Sequence, residues 1–165
     1  MPVRPVLAIP ARVLKDRAAE VGDDRAAVLI QDLIDTMRAS PACVGLAAPQ
    51  IGVSRRAIVV DVTSHPKTTS CHGLLALLDP VIVEASRFKV GREGCMSVPD
   101  LTANVRRATR LTVIGTSPEG ERVTITTEGF EARALQHEID HVDGLLILDR
   151  VASIATDVFA RQVYQ

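Results

Sequence analysis

Residues 136–141 read Gln-His-Glu-Ile-Asp-His, and no other stretch limits the fold as strongly. His137 and His141 are four residues apart. A helix puts both imidazoles on one face, one turn apart, where they can reach a single metal ion. Glu138 lies between them and can serve a water molecule as general base. Ala134, His137 and His141 share a stripe, while Leu135, Ile139 and Val142 offer apolar packing on adjoining faces. The spacing also occurs by chance, as two surface histidines on an amphipathic helix. Here the flanking residues favour a helix anchored in the protein. The motif announces metal-assisted hydrolysis without naming a substrate, and a third ligand has to come from elsewhere.

The chain has 165 residues, enough for one domain with a real core, and 47% of them are hydrophobic. Aromatics make up only 2%, with no Trp, so the core is built from Val, Leu, Ile and Ala. That count argues against base stacking on aromatic platforms, and a net charge of −1 argues against polyanion binding. No apolar run approaches the roughly 18 residues of a membrane span. The start, MPVRPVLAIPARVLKD, is too short in its apolar part and too rich in Pro for a secretory signal. Three cysteines, Cys43, Cys71 and Cys95, form no even disulfide framework and suit reduced thiols. A cytoplasmic location is expected.

Periodicity predicts a helix from an Asp23 N-cap through about Arg38, with Ala27, Ile30, Leu33, Ile34 and Met37 on one face. Gly45 to Gly52 reads as a small-residue loop, Ala57–Val60 as a buried strand and Thr63 to Gly73 as a surface loop. Leu74–Leu78 and Val81–Ala85 are expected as short strands split by Asp79-Pro80. Leu111–Thr116 and Arg122–Thr127 flank a Pro/Gly turn and predict a hairpin. The motif helix should run from Glu128-Gly129 to about Val142 and stop near Gly144, and a last helix should cover Ala152–Gln162. The order predicts one α+β domain over residues 1–165. Mostly antiparallel sheets surround a central metal-binding helix, with N-terminal and C-terminal helices.

A catalytic metal takes three protein ligands and keeps one open position. Downstream, the metzincin extension fails at Ile147, and no Glu follows Glu138. Only Asp143, Asp149 and Asp157 remain there. Upstream, Arg-Glu-Gly-Cys-Met-Ser (92–97) offers the Cys95 thiolate, a strong ligand for Zn²⁺ or Fe²⁺. Taken alone, Cys95 reads more often as a buried core thiol than as a ligand. A third stretch, Cys43-Val44-Gly45-Leu46-Ala47-Ala48-Pro49-Gln50, combines small residues that admit a close approach with an amide donor. Alone it is an ordinary turn.

Taken together, CVGLAAPQ, EGCMS and HEIDH, in that order, closely resemble the three motifs of peptide deformylases. The likeness extends to Ala8-Ile9-Pro10, Val105-Arg106-Arg107 and residues 144–150. The resemblance implies an enzyme that removes the N-formyl group from the formylmethionine of new proteins and releases formate. It implies Cys95, His137 and His141 as ligands of one divalent metal, Fe²⁺ in cells, with Zn²⁺, Ni²⁺ or Co²⁺ able to replace it. Glu138 would take a proton from water and return it to the leaving amine. The Gln50 side chain and the Met96 backbone N–H would donate to the oxyanion. Gly45 would present backbone to the N-formylmethionyl peptide as an added strand. Val44, Phe130, Arg133 and Ala134 would line the methionine pocket, Arg133 through its aliphatic stem alone. A transient ribosome contact is the one further partner implied, with no membrane and no sequence-specific nucleic acid. Arg161 is the lone basic residue at the C-terminal end, which argues against a strongly electrostatic RNA contact.

The departures are few. Cys43 replaces the first glycine of the first motif, as in the mitochondrial-type branch, and sets a second thiol near the metal. Met96 replaces Leu, a volume-conserving swap. Asp79-Pro80 replaces Asn-Pro, a change with no sequence-level reading. Glu93 is expected to pair with Arg107, with Arg106 or solvent as alternatives. Asp140 is expected to bond nearby backbone or stay solvated. Two other readings stay open: a metalloprotease of another class, and a non-catalytic relative that binds metal or formyl-peptides.

Overall fold

The strand expected at Ala57–Val60 forms there as β2, with all four residues buried. A continuous aliphatic run suits a strand covered on both faces. The computed structural model describes residues 3–22 and 25–161. Antiparallel to β2 lie β1 (Gly45–Ala47) on one side and β3 (Leu75–Cys95) on the other. The sheet continues through β4 (Val98–Thr116) and β5 (Arg122–Glu128). A short β6 (Val158–Ala160) pairs with β4 at Leu101–Ala103. The β4–β5 hairpin lies where the turn residues predicted it.

Helix α1 (Ala26–Ala39) buries Leu29, Ile30, Leu33 and Met37 against Val59 and Leu46, so that of the expected face Ile34 is half-buried and Ala27 is exposed. The expected Asp23 cap lies outside the described residues, and Arg25 occupies the N-cap position without a side-chain bond. Helix α2 (Gly129–Val142) carries the HEIDH sequence. Leu135, Ile139 and Val142 pack on Ile58, Val60, Leu111 and Val113, in the largest apolar cluster. Gln136 fastens the helix to β4, its Oε1 accepting from the Ala108 N–H at 2.9 Å and its Nε2 donating to the Ala108 carbonyl at 2.8 Å. At the C-terminal end, buried Arg56 donates to the Val142 carbonyl at 2.9 Å, satisfying an end-of-helix acceptor with a cation. Gly144 then turns the chain at φ +77, where a Cβ would lie 2.6 Å from the Lys15 carbonyl oxygen.

Several expectations are corrected. Gly45 to Gly52 is not a loop throughout. Leu46 and Ala47 are buried in β1, opposite Val59 and Ile58, and Ala48–Ile51 form a 3-10 turn. The two short strands around Asp79-Pro80 are one strand with a bulge, the register shifting between Leu78 and Val81. No strand was expected between Ala85 and Leu111, yet β3 and β4 run through it. Residues 81–90 are exposed on both faces, so the inside–outside alternation that marks a strand is missing there. The C-terminal helix expected over 152–162 is a single turn, α4 (Ile154–Asp157), after which the chain extends into β6, with Gln162 outside the described residues. Val158 packs into the cluster holding Leu14, Val105 and Ile147, which favours an extended arm over an amphipathic helix. A further one-turn helix, α3 (Ile147–Arg150), precedes it. No helix among the described residues is long and apolar enough to cross a membrane.

The bulge explains Asp79. Its φ is +49, a left-handed conformation that Asp and Asn tolerate best among residues other than glycine. Its Oδ1 accepts from the Val21 N–H at 3.0 Å. Asn supplies the same oxygen and the same tolerance. Asp79→Asn is therefore expected to leave the denaturant midpoint nearly unchanged, while Asp79→Ala costs about 2 kcal/mol by equilibrium unfolding.

Candidate metal centre

Cys95 ends β3, and His137 and His141 lie on α2, so the site forms where helix and strand end meet. The three offer one sulfur and two ring nitrogens, all within 4.8 Å of one another. Cys95 Sγ is 3.3 Å from His141 Nε2, and the two rings meet edge to face with centroids 5.1 Å apart. Burial, then the charge on His137, push the His141 pKa below the usual histidine range. Burial opposes charge on His137 too, but its bonds to Cys95 and Glu93 outweigh it and raise that ring's pKa. A thiol and two imidazoles at this separation fit a tetrahedral Zn²⁺ or Fe²⁺ site with one position to spare.

The surroundings orient the cluster. His137 Nδ1 lies 2.9 Å from Glu93 Oε1, which leaves Nε2 for a metal, the carboxylate–histidine arrangement common around bound ions. Glu93 also accepts from Arg107 Nε and Nη2, both at 3.0 Å, and from Arg133 Nη1 at 2.6 Å. Burial alone would raise its pKa, but the bonds from His137 and Arg107 reverse that and hold it well below the usual carboxylate range. The expected Glu93–Arg107 pair therefore forms, while Arg106 stacks over Phe88 at the surface.

One expectation fails here. Asp140 is neither solvated nor backbone-bonded. It is buried, pairs with Arg107, and accepts from Arg150 Nη2 at 2.7 Å. The guanidinium of Arg133 joins the same network, which leaves its stem free to line a pocket. Beyond Glu93, its guanidinium donates to the carbonyls of Val105 at 3.0 Å and Lys89 at 2.9 Å.

Glu138 is buried beside the cluster, and its Oε1 has no hydrogen-bond partner among the described residues. Burial is the main cause of a pKa raised to about 7. Gly45 stands directly against it, so that a Cβ there would lie 2.7 Å from Glu138 Oε2. Gln50 is held at both ends. Its Oε1 accepts from the Ala47 N–H at 3.0 Å, and its Nε2 donates to Ser97 Oγ at 3.0 Å while lying 3.8 Å from Cys95 Sγ. Ser97 Oγ in turn donates to the Leu7 carbonyl at 2.7 Å. The Cys43 thiol donates to the Gly45 carbonyl at 3.1 Å and stands outside the ligand cluster. Burial above all pushes its pKa up to about 11.

A pocket of about 330 Å³ opens over these groups. Val44, Gly45, Met96, Phe130, Arg133 and Ala134 all line it. His65, which the sequence did not single out, stacks on Phe130 with centroids 4.0 Å apart. His65 carried no local signal, and Ser97 and Arg150, though inside matched stretches, gave no hint of their partners, which lie 47 and 10 residues away along the chain.

The Polypeptide deformylase family model matches residues 3–157. The chain belongs to this family. The peptide deformylase of Halothermothrix orenii is 42% identical over 160 residues, covering 96% of this chain and 99% of the relative. That of Desulforudis audaxviator is 44% identical over 158 residues, covering 93% and 97%. Among solved structures, the class I type b peptide deformylase of Acinetobacter baumannii with Met-Ala-Ser bound superposes with a TM-score of 0.84 at 34% identity, covering 92% of this chain and all of that one. The Thermotoga maritima peptide deformylase gives 0.81 at 35% identity, covering 92% and 99%. The deformylase family is metal-dependent, and the Cys95–His137–His141 cluster is the candidate site for that metal.

Two variants test the arrangement. Gly45→Ala is expected to displace the Glu138 carboxylate and lower deformylation at least about tenfold, while metal content is retained. Glu93→Gln removes the charged acceptor behind His137. It should weaken metal affinity about 10–100-fold, read by chelator competition.

Proposed function

We propose that this chain is an active deformylase. Water is added across the N-formyl amide of formylmethionyl peptides, which gives formate and a free amino terminus. The observation that carries this reading is the thiol–imidazole–imidazole cluster with a buried, unpartnered carboxyl, Glu138, beside it. Cys95, His137 and His141 would hold one divalent ion. When bound, that ion supplies the Lewis acidity that makes water a nucleophile near neutral pH.

The remaining chemistry belongs to the protein. Glu138, with burial raising its pKa to about 7, is suited both to accept a proton from water and to hand it to the leaving nitrogen. As water adds to the formyl carbon, charge grows on the carbonyl oxygen. The Gln50 amide, fixed through Ser97 and Ala47, is the side-chain donor for it, and the Met96 backbone N–H is the second. The C–N bond then breaks, with the proton carried by Glu138 delivered to the amine. Gly45 would present its backbone to the substrate chain as an added strand. Val44, Phe130, Ala134 and the stem of Arg133 would surround the methionine side chain.

The metal in cells is proposed to be Fe²⁺, with Zn²⁺, Ni²⁺ or Co²⁺ able to occupy the same ligands. We assign the activity to one catalytic domain over residues 1–165, acting in the cytoplasm on nascent chains with at most transient ribosome contact. No sequence-specific nucleic acid is involved.

Formate release from formyl-Met-Ala-Ser by Fe²⁺- or Ni²⁺-loaded protein is the direct test. Turnover is expected, and Glu138→Gln should lower kcat roughly 10²–10⁴-fold with metal still bound. A fully metallated protein without turnover would instead be a non-catalytic relative.

A further inference from the structure

The pocket mouth has a charge that the cleavage chemistry does not require. Besides Arg133, which pairs with Glu93, three cations line it. They are Lys67 in the 63–73 loop, Arg92 on β3 and Arg161 just beyond β6. Lys67 and Arg92 are exposed. Arg92 lies 3.6 Å from the ring centroid of Phe159 and bonds to Asn104 Oδ1 at 3.0 Å and Thr102 Oγ1 at 3.5 Å. Arg161 Nη2 donates to the carbonyls of Cys95 at 3.2 Å and Leu101 at 3.4 Å. All these partners are neutral. Among the described residues no carboxylate pairs with any of the three cations. Of the acids lining the pocket, Glu93 is already engaged by Arg107, Arg133 and His137, and Glu138 lies buried beside the ligands.

The arm after α4 builds this wall. By pairing with β4 at Leu101–Ala103, β6 sets Phe159 under Arg92 and brings Arg161 against the end of β3. Gly94 leaves the room, since a Cβ there would stand 2.7 Å from Arg161 Nη2. With a formyl group at the Cys95–His137–His141 cluster and a methionine side chain in the apolar part of the pocket, the following residues would exit past these cations. We propose that Arg161, with Arg92 and Lys67, is a specificity determinant favouring formylmethionyl peptides with an acidic side chain in the two residues after methionine. The inference rests on the deformylase reading of the pocket. Attraction between exposed charges is screened by water and salt, so the preference is modest and salt-sensitive.

The test compares kcat/KM for formyl-Met-Xaa-Ser and formyl-Met-Ala-Xaa, with Xaa as Glu, Gln or Lys. Glu should exceed Gln about three- to fivefold at one of the two positions, with Lys lowest. The Glu/Gln ratio should fall toward one in Arg161→Gln and Arg92→Gln, and in wild type at about 0.5 M salt. The ratio within each protein cancels any general loss of activity. If Arg161→Gln does not fold, Lys67→Gln on the exposed loop carries the same comparison. A flat series, or a preference that survives the substitutions, overturns the proposal. If formyl-Met-Ala-Ser itself is not cleaved, the reaction reading fails instead. Calorimetric binding of Met-Glu-Ser against Met-Gln-Ser, and of Met-Ala-Glu against Met-Ala-Gln, then decides the charge preference, and equal affinity in both pairs rejects it.

Discussion

The carboxylate of Glu93 is the point on which the site depends. It sits on β3 two residues before Cys95 and accepts from Arg107 on β4 and from Arg133 and His137 on α2. One buried acid therefore joins two strands to the helix that carries both histidines. The chain of charges runs on from Arg107 to Asp140 and Arg150, which ties α2 to α3. Removing one member of such a buried set leaves an uncompensated charge, typically worth about 3–5 kcal/mol. Replacing the set with apolar residues could be as stable, but it would not aim His137 Nδ1 away from the metal side.

The packing explains why α2 can hold that orientation. One face is fixed by aliphatic contacts with β2 and β4, and Gln136 forms a two-bond clasp to Ala108. Arg56 closes the C-terminal end. With so few aromatic residues, this precision comes from many small contacts and from hydrogen bonds to backbone, each worth about 1 kcal/mol. The polar side of the helix is then free to be committed to His137, Glu138 and His141.

The elements with a clean period were legible in the sequence. Although Ala27 proved exposed and Leu29 buried, Ile30, Leu33 and Met37 of the α1 stripe, the four buried residues of β2 and the turn between β4 and β5 all announced themselves. So did the three motif stretches, which the fold brings to one pocket although 45 residues separate Gln50 from Cys95. Residues 86–90 of β3 were not legible as strand, because exposure on both faces removes the alternation that a strand normally shows. The end of the chain misled for a different reason. Residues 152–160 carry enough helix formers for a helix, but an edge of β4 was available to pair with, and tertiary contact overrode propensity. Asp140 failed because its partners, Arg107 and Arg150, are set by the fold and by no local pattern.

The exposed length of β3 has a consequence for how the protein lives in concentrated solution. From Val81 to Val90 it presents backbone with no further strand alongside among the described residues, and Val81, Ile82 and Val83 make its first part apolar. Such an edge is a template for self-association. Arg87, at φ +58, breaks the straight run, and Glu84, Arg87 and Lys89 put charge along it. A kink and three charges are what stand between an open sheet and the growth of one copy onto the next.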